Sequence, residues 1–266
     1  MRITAREKEW NRLLRQESAF LDKGASKKDS KLNQLLEDKV PEKLQGTLDS
    51  AFAKAFEMIF EKGTGVIEKT YKKEELERQY KLNSYAVELK EDKKSLHKFS
   101  KKTDTANTKN LLLSSVEGVG LGVLGIGLPD IPVFAGVLLK SVYEVALNFG
   151  YSYETSEEKY FILKIVETAL SYGDALRQGD KQLNAFIESP ACPPDYDQNQ
   201  QIKATSSTMS KELLYLKFLQ GIPIVGAVGG AYNTIYLQKI LKYAKIKYHR
   251  RFLTDNDGSS FPDDAC

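Results

Sequence analysis

The chain has 266 residues, which is enough to bury one substantial hydrophobic core. Its 39 basic and 36 acidic side chains leave a net charge of only +3, so we expect a mixed-charge surface and no nucleic acid partner. Two cysteines and two histidines, all far apart, exclude a disulfide framework and predict no metal site. The N-terminus has positive charge without a following apolar run, so we predict no secretory signal and a cytoplasmic location.

The first elements are predicted to be amphipathic helices. Thr4 and Glu7 have the spacing of a capping box, and apolar residues at helical spacing follow them. Residues 1–39 are therefore interpreted as an N-terminal helix and linker. Pro41 then suits the first turn of a second helix, in which apolar residues recur three and four apart as far as Phe60. The Lys- and Glu-rich run from Lys69 to Lys102 indicates a solvated helix and connector.

A glycine-rich apolar stretch from Leu111 to Gly150 stands out in this charged chain. It carries only four charged residues, and the sequence LPDIP interrupts it at residues 128–132. The interruption predicts a helical hairpin, with Asp130 capping the second helix and Pro132 in its first turn. A similar glycine-rich segment spans Leu219 to Leu241.

The second half of the chain also shows helical spacing. We predict a helix from Glu157 to Ala175, a polar loop from Ser189 to Gln201, and a helix from Met209 to Phe218. A long helix from Gly226 has an apolar stripe and many basic residues, and residues 254–266 are predicted to be a disordered acidic tail. No segment shows sustained period-two alternation, so the predicted fold is all-α. It is a single helical domain, residues 40–253, built around two glycine-rich apolar hairpins.

The glycines permit two interpretations. Gly120, Gly122 and Gly125 match the dinucleotide motif, but the flanking prolines and the missing strand argue against it, so no cofactor is predicted. Glycines four apart also allow close helix contact, either at a membrane or in a tight helix crossing within the protein. Glu117 and other charges in the apolar stretch disfavour a membrane span and favour core burial or reversible membrane association.

Two acidic residues interrupt apolar sequence and are candidates for chemistry. Glu117 and Asp130 are the catalytic candidates of a hydrolase, as acid and base in an internal pocket. The alternative gives Asp130 a capping role and Glu117 an internal salt bridge to Lys140. No nucleophile with a positioned base accompanies them in the sequence.

The basic C-terminal helix suggests contact with anions. Lysines and arginines at residues 239–251, interleaved with tyrosines, suit an anionic membrane surface or phosphate groups. The alternative is an amphipathic surface helix with exposed lysines.

Several segments together resemble the EcsC family of bacterial proteins. They read KVPEKLQGTLDSAFAKAF, EGVGLGVLGIGLPDIP, FGYSYE, GIPIVGAVGGAYNT and YHRRFL, and the resemblance covers Val40 to Leu253. It implies a helical, membrane-associated protein connected with an ABC transporter, and it implies no catalytic mechanism or cofactor. The family turn commonly has an acid where this chain has Ser152, although Glu154 lies close by.

Our first hypothesis is a cytoplasmic protein that binds peripherally to lipid or to a membrane protein at the inner face of the cell membrane, supporting an ABC transport system. Alternatives are the hydrolase described above and a protein that binds another helix through its glycine-rich faces. The residues predicted to contact membrane or lipid are Gly118, Gly122, Gly226, Gly230, Lys239, Lys242, Lys245, Arg250 and Arg251.

Overall fold

The computed structural model describes residues 4–25, 42–61, 78, 131–219 and 231–255. Seven helices cover most of this part, and no β-strand occurs in it, which confirms the predicted all-α fold over these ranges. The helices are α1 (Ala5–Ala25), α2 (Glu42–Glu61), α3 (Ile131–Asn148), α4 (Ser156–Leu170), α5 (Gly173–Glu188), α6 (Gln198–Leu219) and α7 (Ala231–Asp255).

Helix α1 begins with the predicted capping box. The Glu7 backbone N–H donates to Thr4 Oγ1 over 3.1 Å, and the Thr4 N–H donates to Glu7 Oε2 over 2.7 Å. These two bonds satisfy donors that a helix N-terminus otherwise leaves exposed. Helix α1 packs against α5 and α7.

Helices α2, α3 and α6 form one side of the bundle, where α2 packs on both of the others. The buried face of α2 is the predicted apolar stripe, and its Phe52 meets Phe134 of α3 edge to face at 6.4 Å between ring centroids. Pro132 lies in the first turn of α3, as predicted.

The helix predicted from Glu157 to Ala175 is wrong at its C-terminal end, because the chain turns between α4 and α5. The Ser171 N–H donates to the carbonyls of Glu167 and Thr168, and its hydroxyl also donates to Glu167, which closes α4. Gly173 then takes a φ of 54°, a left-handed conformation that glycine adopts without strain. Helix α5 therefore begins at this glycine.

The loop predicted from Ser189 to Gln201 is too long, because α6 already begins at Gln198. Asp197 caps the N-terminus of α6. Its Oδ1 accepts a hydrogen bond from the Gln200 N–H at 2.9 Å, and its backbone carbonyl accepts one from the Gln201 N–H at 3.0 Å. The first turns of α6 consist mostly of polar residues, so the spacing of apolar residues did not predict them as helical.

Helix α7 is the central helix of the bundle and contacts α1, α3, α4 and α5. Its predicted apolar stripe is buried, but so are side chains on most of its other faces, including Lys247 and His249. The alternative interpretation of α7 as a surface helix with exposed lysines therefore fits Lys242, which is exposed, and does not fit Lys247. A basic helix in such a position requires internal acidic partners.

Several predictions fall outside the described residues. They concern Glu117, Asp130, the glycines at 118, 122, 226 and 230, the first arm of the hairpin before α3, and the tail after Asp255. No helix in the described ranges combines the length and apolar character needed to cross a membrane.

Candidate functional site

The basic residues of α7 separate into two groups by direction. One group points into the bundle and forms ion pairs with α1, α4 and α5. The other group faces outward beside α1 and lines a groove.

Lys247 lies at the centre of the first group and is fully buried. Its Nζ is 2.6 Å from Asp180 Oδ1 on α5, donates to Asn184 Oδ1 over 2.7 Å, and also contacts Glu17 on α1. The Tyr243 hydroxyl donates to the same Asp180 oxygen over 2.6 Å. One cation thus connects three helices.

Arg250 strengthens the attachment of α1. Its Nη1 donates to Glu17 Oε2 over 2.7 Å, while its guanidinium carbon lies 5.1 Å from the centroid of the Trp10 ring. Glu17 therefore accepts from two cations of α7, which offsets the cost of burying its charge.

A second buried cluster joins α7 to α4. Arg251 Nη1 donates to Glu158 Oε2 over 2.7 Å, and the Tyr248 hydroxyl donates to Glu158 Oε1 over 2.6 Å. Burial raises the pKa of Glu158 above its ordinary value, and the nearby Arg251 and Tyr248 only partly offset this. The Arg251 guanidinium also lies 4.1 Å from the Tyr151 ring centroid.

Three of the predicted lipid contacts thus have internal partners. Arg250 and Arg251 form the ion pairs just described, and Lys239 Nζ lies 4.1 Å from the centroid of the Tyr172 ring. Their role in lipid contact stays a prediction. Lys242 is exposed and Lys245 half-buried, and both line the groove.

The groove runs between α1 and α7 and has a volume of about 820 Å³. The helices are antiparallel here, since Glu9 lies 3.9 Å from His249 while Phe20 stacks on Tyr243 at 4.6 Å between centroids. The described residues that line the groove are Arg12, Arg15, Gln16, Ala19, Phe149, Gln238, Leu241, Lys242, Lys245, Ile246 and His249.

The groove carries a concentrated positive charge. Arg12 and Arg15 lie on the α1 wall, Lys242 and Lys245 lie on the α7 wall, and no carboxylate occurs among the described lining residues. Glu9 lies just behind the wall, 3.5 Å from Arg12. The four cations on the two walls produce a potential that attracts anions, which the Glu9 carboxylate beside Arg12 reduces in part.

His249 forms part of the groove lining without adding charge at neutral pH. It is 7% exposed, and burial, together with the nearby Arg12 charge, lowers its pKa to about 4. The Phe149 ring stacks on it at 5.7 Å between centroids. Neutral aromatic surface therefore lies beneath the cationic walls.

Glu144 on α3 is a buried acid outside the groove. It is 5% exposed, and burial raises its pKa to about 7, although the Lys140 charge opposes the shift. The sequence marked this residue only as a charge within an apolar stretch.

Four residues of the groove and of the buried clusters were not predicted to be functional from the sequence: Arg12, Arg15, Glu17 and Glu158. A signal was present for Glu17, which falls on the same helical face as Leu13 and Phe20 and is buried with them. An acid on the apolar face of a helix indicates a buried cation elsewhere in the fold. The partner itself lies 230 residues away and was not identifiable.

Fold and groove together define a class: helical proteins with an internally ion-paired basic helix and a cationic groove on one face. The chain belongs to the EcsC protein family, whose sequence model matches residues 5–253, and this confirms the resemblance found in the sequence. It is similar to Protein EcsC of Bacillus subtilis (strain 168), with 25% identity over 254 residues that cover 94% of each chain. No solved structure matches it. The family match begins within α1, so it includes one wall of the groove.

Proposed function

We propose that the protein binds peripherally to anionic membranes, with the groove between α1 and α7 facing the lipid headgroups. The observation that carries this proposal is the set of four cations on the two walls, Arg12, Arg15, Lys242 and Lys245. Basic side chains close to an anionic leaflet each contribute about 1 kcal/mol to binding.

The outward geometry of α7 supports the proposal. Ile235, Gln238, Lys242 and Lys245 are three or four residues apart and therefore lie on one side of the helix. Ile235 is 54% exposed, which is unusual for so apolar a side chain in this fold. An exposed apolar residue next to a basic groove suits the boundary between headgroups and acyl chains.

Vesicle flotation tests the proposal. The full chain is mixed with phosphatidylcholine vesicles that contain phosphatidylglycerol, and with vesicles of phosphatidylcholine alone. Binding should require the anionic lipid and should weaken from 50 to 500 mM salt, because salt screens exposed charges. Lys242→Gln combined with Lys245→Gln should lower the partition coefficient about 30-fold, which corresponds to about 2 kcal/mol for two cations.

A matched control removes the same charge from another face. Lys203 and Lys211 are exposed on α6 and do not line the groove, so Lys203→Gln with Lys211→Gln should leave vesicle binding almost unchanged. Equal losses in the two double variants would mean that net charge, and not the groove, governs binding. Absence of the parent protein from anionic vesicles at low salt would refute the proposal.

Support of an ABC transport system stays a prediction that derives from the family resemblance. The hydrolase hypothesis also stays a prediction, since Glu117 and Asp130 lie outside the described residues.

A further inference from the structure

We infer that the groove between α1 and α7 binds one molecule of a single-chain amphiphile with a phosphate headgroup. This inference rests on the proposed function, because it assigns the same groove to the lipid phosphate. It goes further in stating that a single molecule is held, rather than that a flat basic face lies on a membrane.

The size and shape of the groove support a bound molecule. Its volume of about 820 Å³ lies within the range of small-molecule sites, about 300–1,000 Å³. A purely electrostatic membrane contact needs no such concavity, since exposed lysines on a convex helix suffice for it.

The lining is divided by polarity in the way that an amphiphile requires. Ala19 and the aliphatic stems of the wall lysines and arginines provide apolar surface within the groove. Below them, Phe149, Leu241 and Ile246 form an apolar floor that is at most 4% exposed, next to the neutral ring of His249. Phe149 is fixed in place by His249 and by Phe252, whose ring centroid lies 6.2 Å away. An alkyl chain on this surface would be removed from water.

The walls supply the groups that recognise phosphate. Arg12 and Arg15 present planar guanidinium groups, which bind phosphate oxygens with paired hydrogen bonds, and Lys242 and Lys245 face them from α7. Arg15 and Lys242 form no ion pair with any described residue. A doubly charged phosphate between the walls would relieve the repulsion among like charges.

Isothermal titration of the full chain with dodecyl phosphate, below its critical micelle concentration, tests the inference. We expect binding of one molecule per chain. Inorganic phosphate should bind at least 100-fold more weakly because it lacks the alkyl chain. Dodecyl maltoside should bind at least 10-fold more weakly because it lacks the charge. If inorganic phosphate binds as tightly as dodecyl phosphate, the groove is a simple anion site. If dodecyl maltoside binds as tightly as dodecyl phosphate, the groove recognises only the alkyl chain. Either result overturns the inference.

A pair of variants distinguishes this inference from the membrane proposal. Ala19 is exposed within the groove, so Ala19→Phe fills it without removing charge, whereas Ser18→Phe places the same ring on α1 outside the groove. Ala19→Phe should weaken dodecyl phosphate binding at least 10-fold and retain flotation on anionic vesicles, and Ser18→Phe should retain both. Vesicle binding by the parent protein without dodecyl phosphate binding overturns this inference alone. Dodecyl phosphate binding without vesicle binding overturns the membrane proposal alone. If the parent protein binds neither the vesicles nor dodecyl phosphate, both proposals are overturned.

Discussion

Replacement of Lys247 by methionine tests whether internal ion pairs hold the bundle together around α7. Lys247 is fully buried between Glu17 and Asp180, and Met has a similar length and volume but no charge. Two buried carboxylates would lose their shared cation. Breaking a buried ion pair from one side costs about 3–5 kcal/mol. Because Arg250 still contacts Glu17 and Tyr243 still donates to Asp180, we expect a loss within this range and not twice as large.

Denaturant and thermal unfolding measure this loss. For a chain of this size, 3–5 kcal/mol lowers Tm by roughly 6–20 °C. The matched control is Lys242→Met, which removes an exposed lysine from the same helix and should change stability by less than about 0.5 kcal/mol. Adding Asp180→Asn to the Lys247→Met protein should recover part of the loss, since Asp180 has no other cationic partner among the described residues. Indistinguishable unfolding of the Lys247→Met and Lys242→Met proteins would refute the reasoning.

Four further substitutions have defined outcomes. Burial raises the pKa of Glu144 to about 7, so the parent protein loses stability as the pH rises from 4.5 to 7. In urea unfolding, the free energy of unfolding of Glu144→Gln should therefore rise by about 3 kcal/mol relative to that of the parent between pH 4 and 8. Parallel stability–pH profiles of the two proteins would contradict this. The lowered pKa of His249, about 4, predicts the opposite sign: the parent loses about 3 kcal/mol as pH falls from 6.5 to 4, and His249→Gln should abolish that loss in the same assay. In Gly179→Ala the new Cβ would lie 2.3 Å from Thr168 Oγ1, so thermal unfolding should show a stability loss of about 1–3 kcal/mol. In Gly46→Ala the new Cβ meets no other atom of the described residues, so the stability should increase by up to about 1 kcal/mol.

Local signals in the sequence predicted local structure well. The capping box at Thr4 and the proline in the first turn of α3 both act over a few residues, and both are confirmed. The errors occurred where apolar spacing was a poor guide. Helix α6 begins with polar residues after Asp197, and the apolar pattern of α4 continues past Ser171, where the backbone turns. Helix type was predicted there, but helix ends were not.

The groove and the ion pairs depend on tertiary arrangement. The basic character of α7 was evident, and Lys242 and Lys245 were identified as anion contacts, which stays a prediction. The arginines of α1 belong to the same groove only because α1 lies antiparallel to α7, and no spacing within the sequence specifies that arrangement. The inward orientation of Arg250 and Arg251 likewise could not be predicted without the positions of their partners Glu17 and Glu158.

The central position of α7 has a consequence for protein synthesis. Glu17 acquires its partner Lys247 only after 230 further residues have been added. At about 5–20 residues per second, this interval lasts roughly 10–50 s on the ribosome. During that time the face of α1 that carries Leu13 and Glu17 has neither the cations nor the apolar surface of α7 to pack against. A nascent chain that stops before α7 therefore lacks the helix against which α1, α3, α4 and α5 pack.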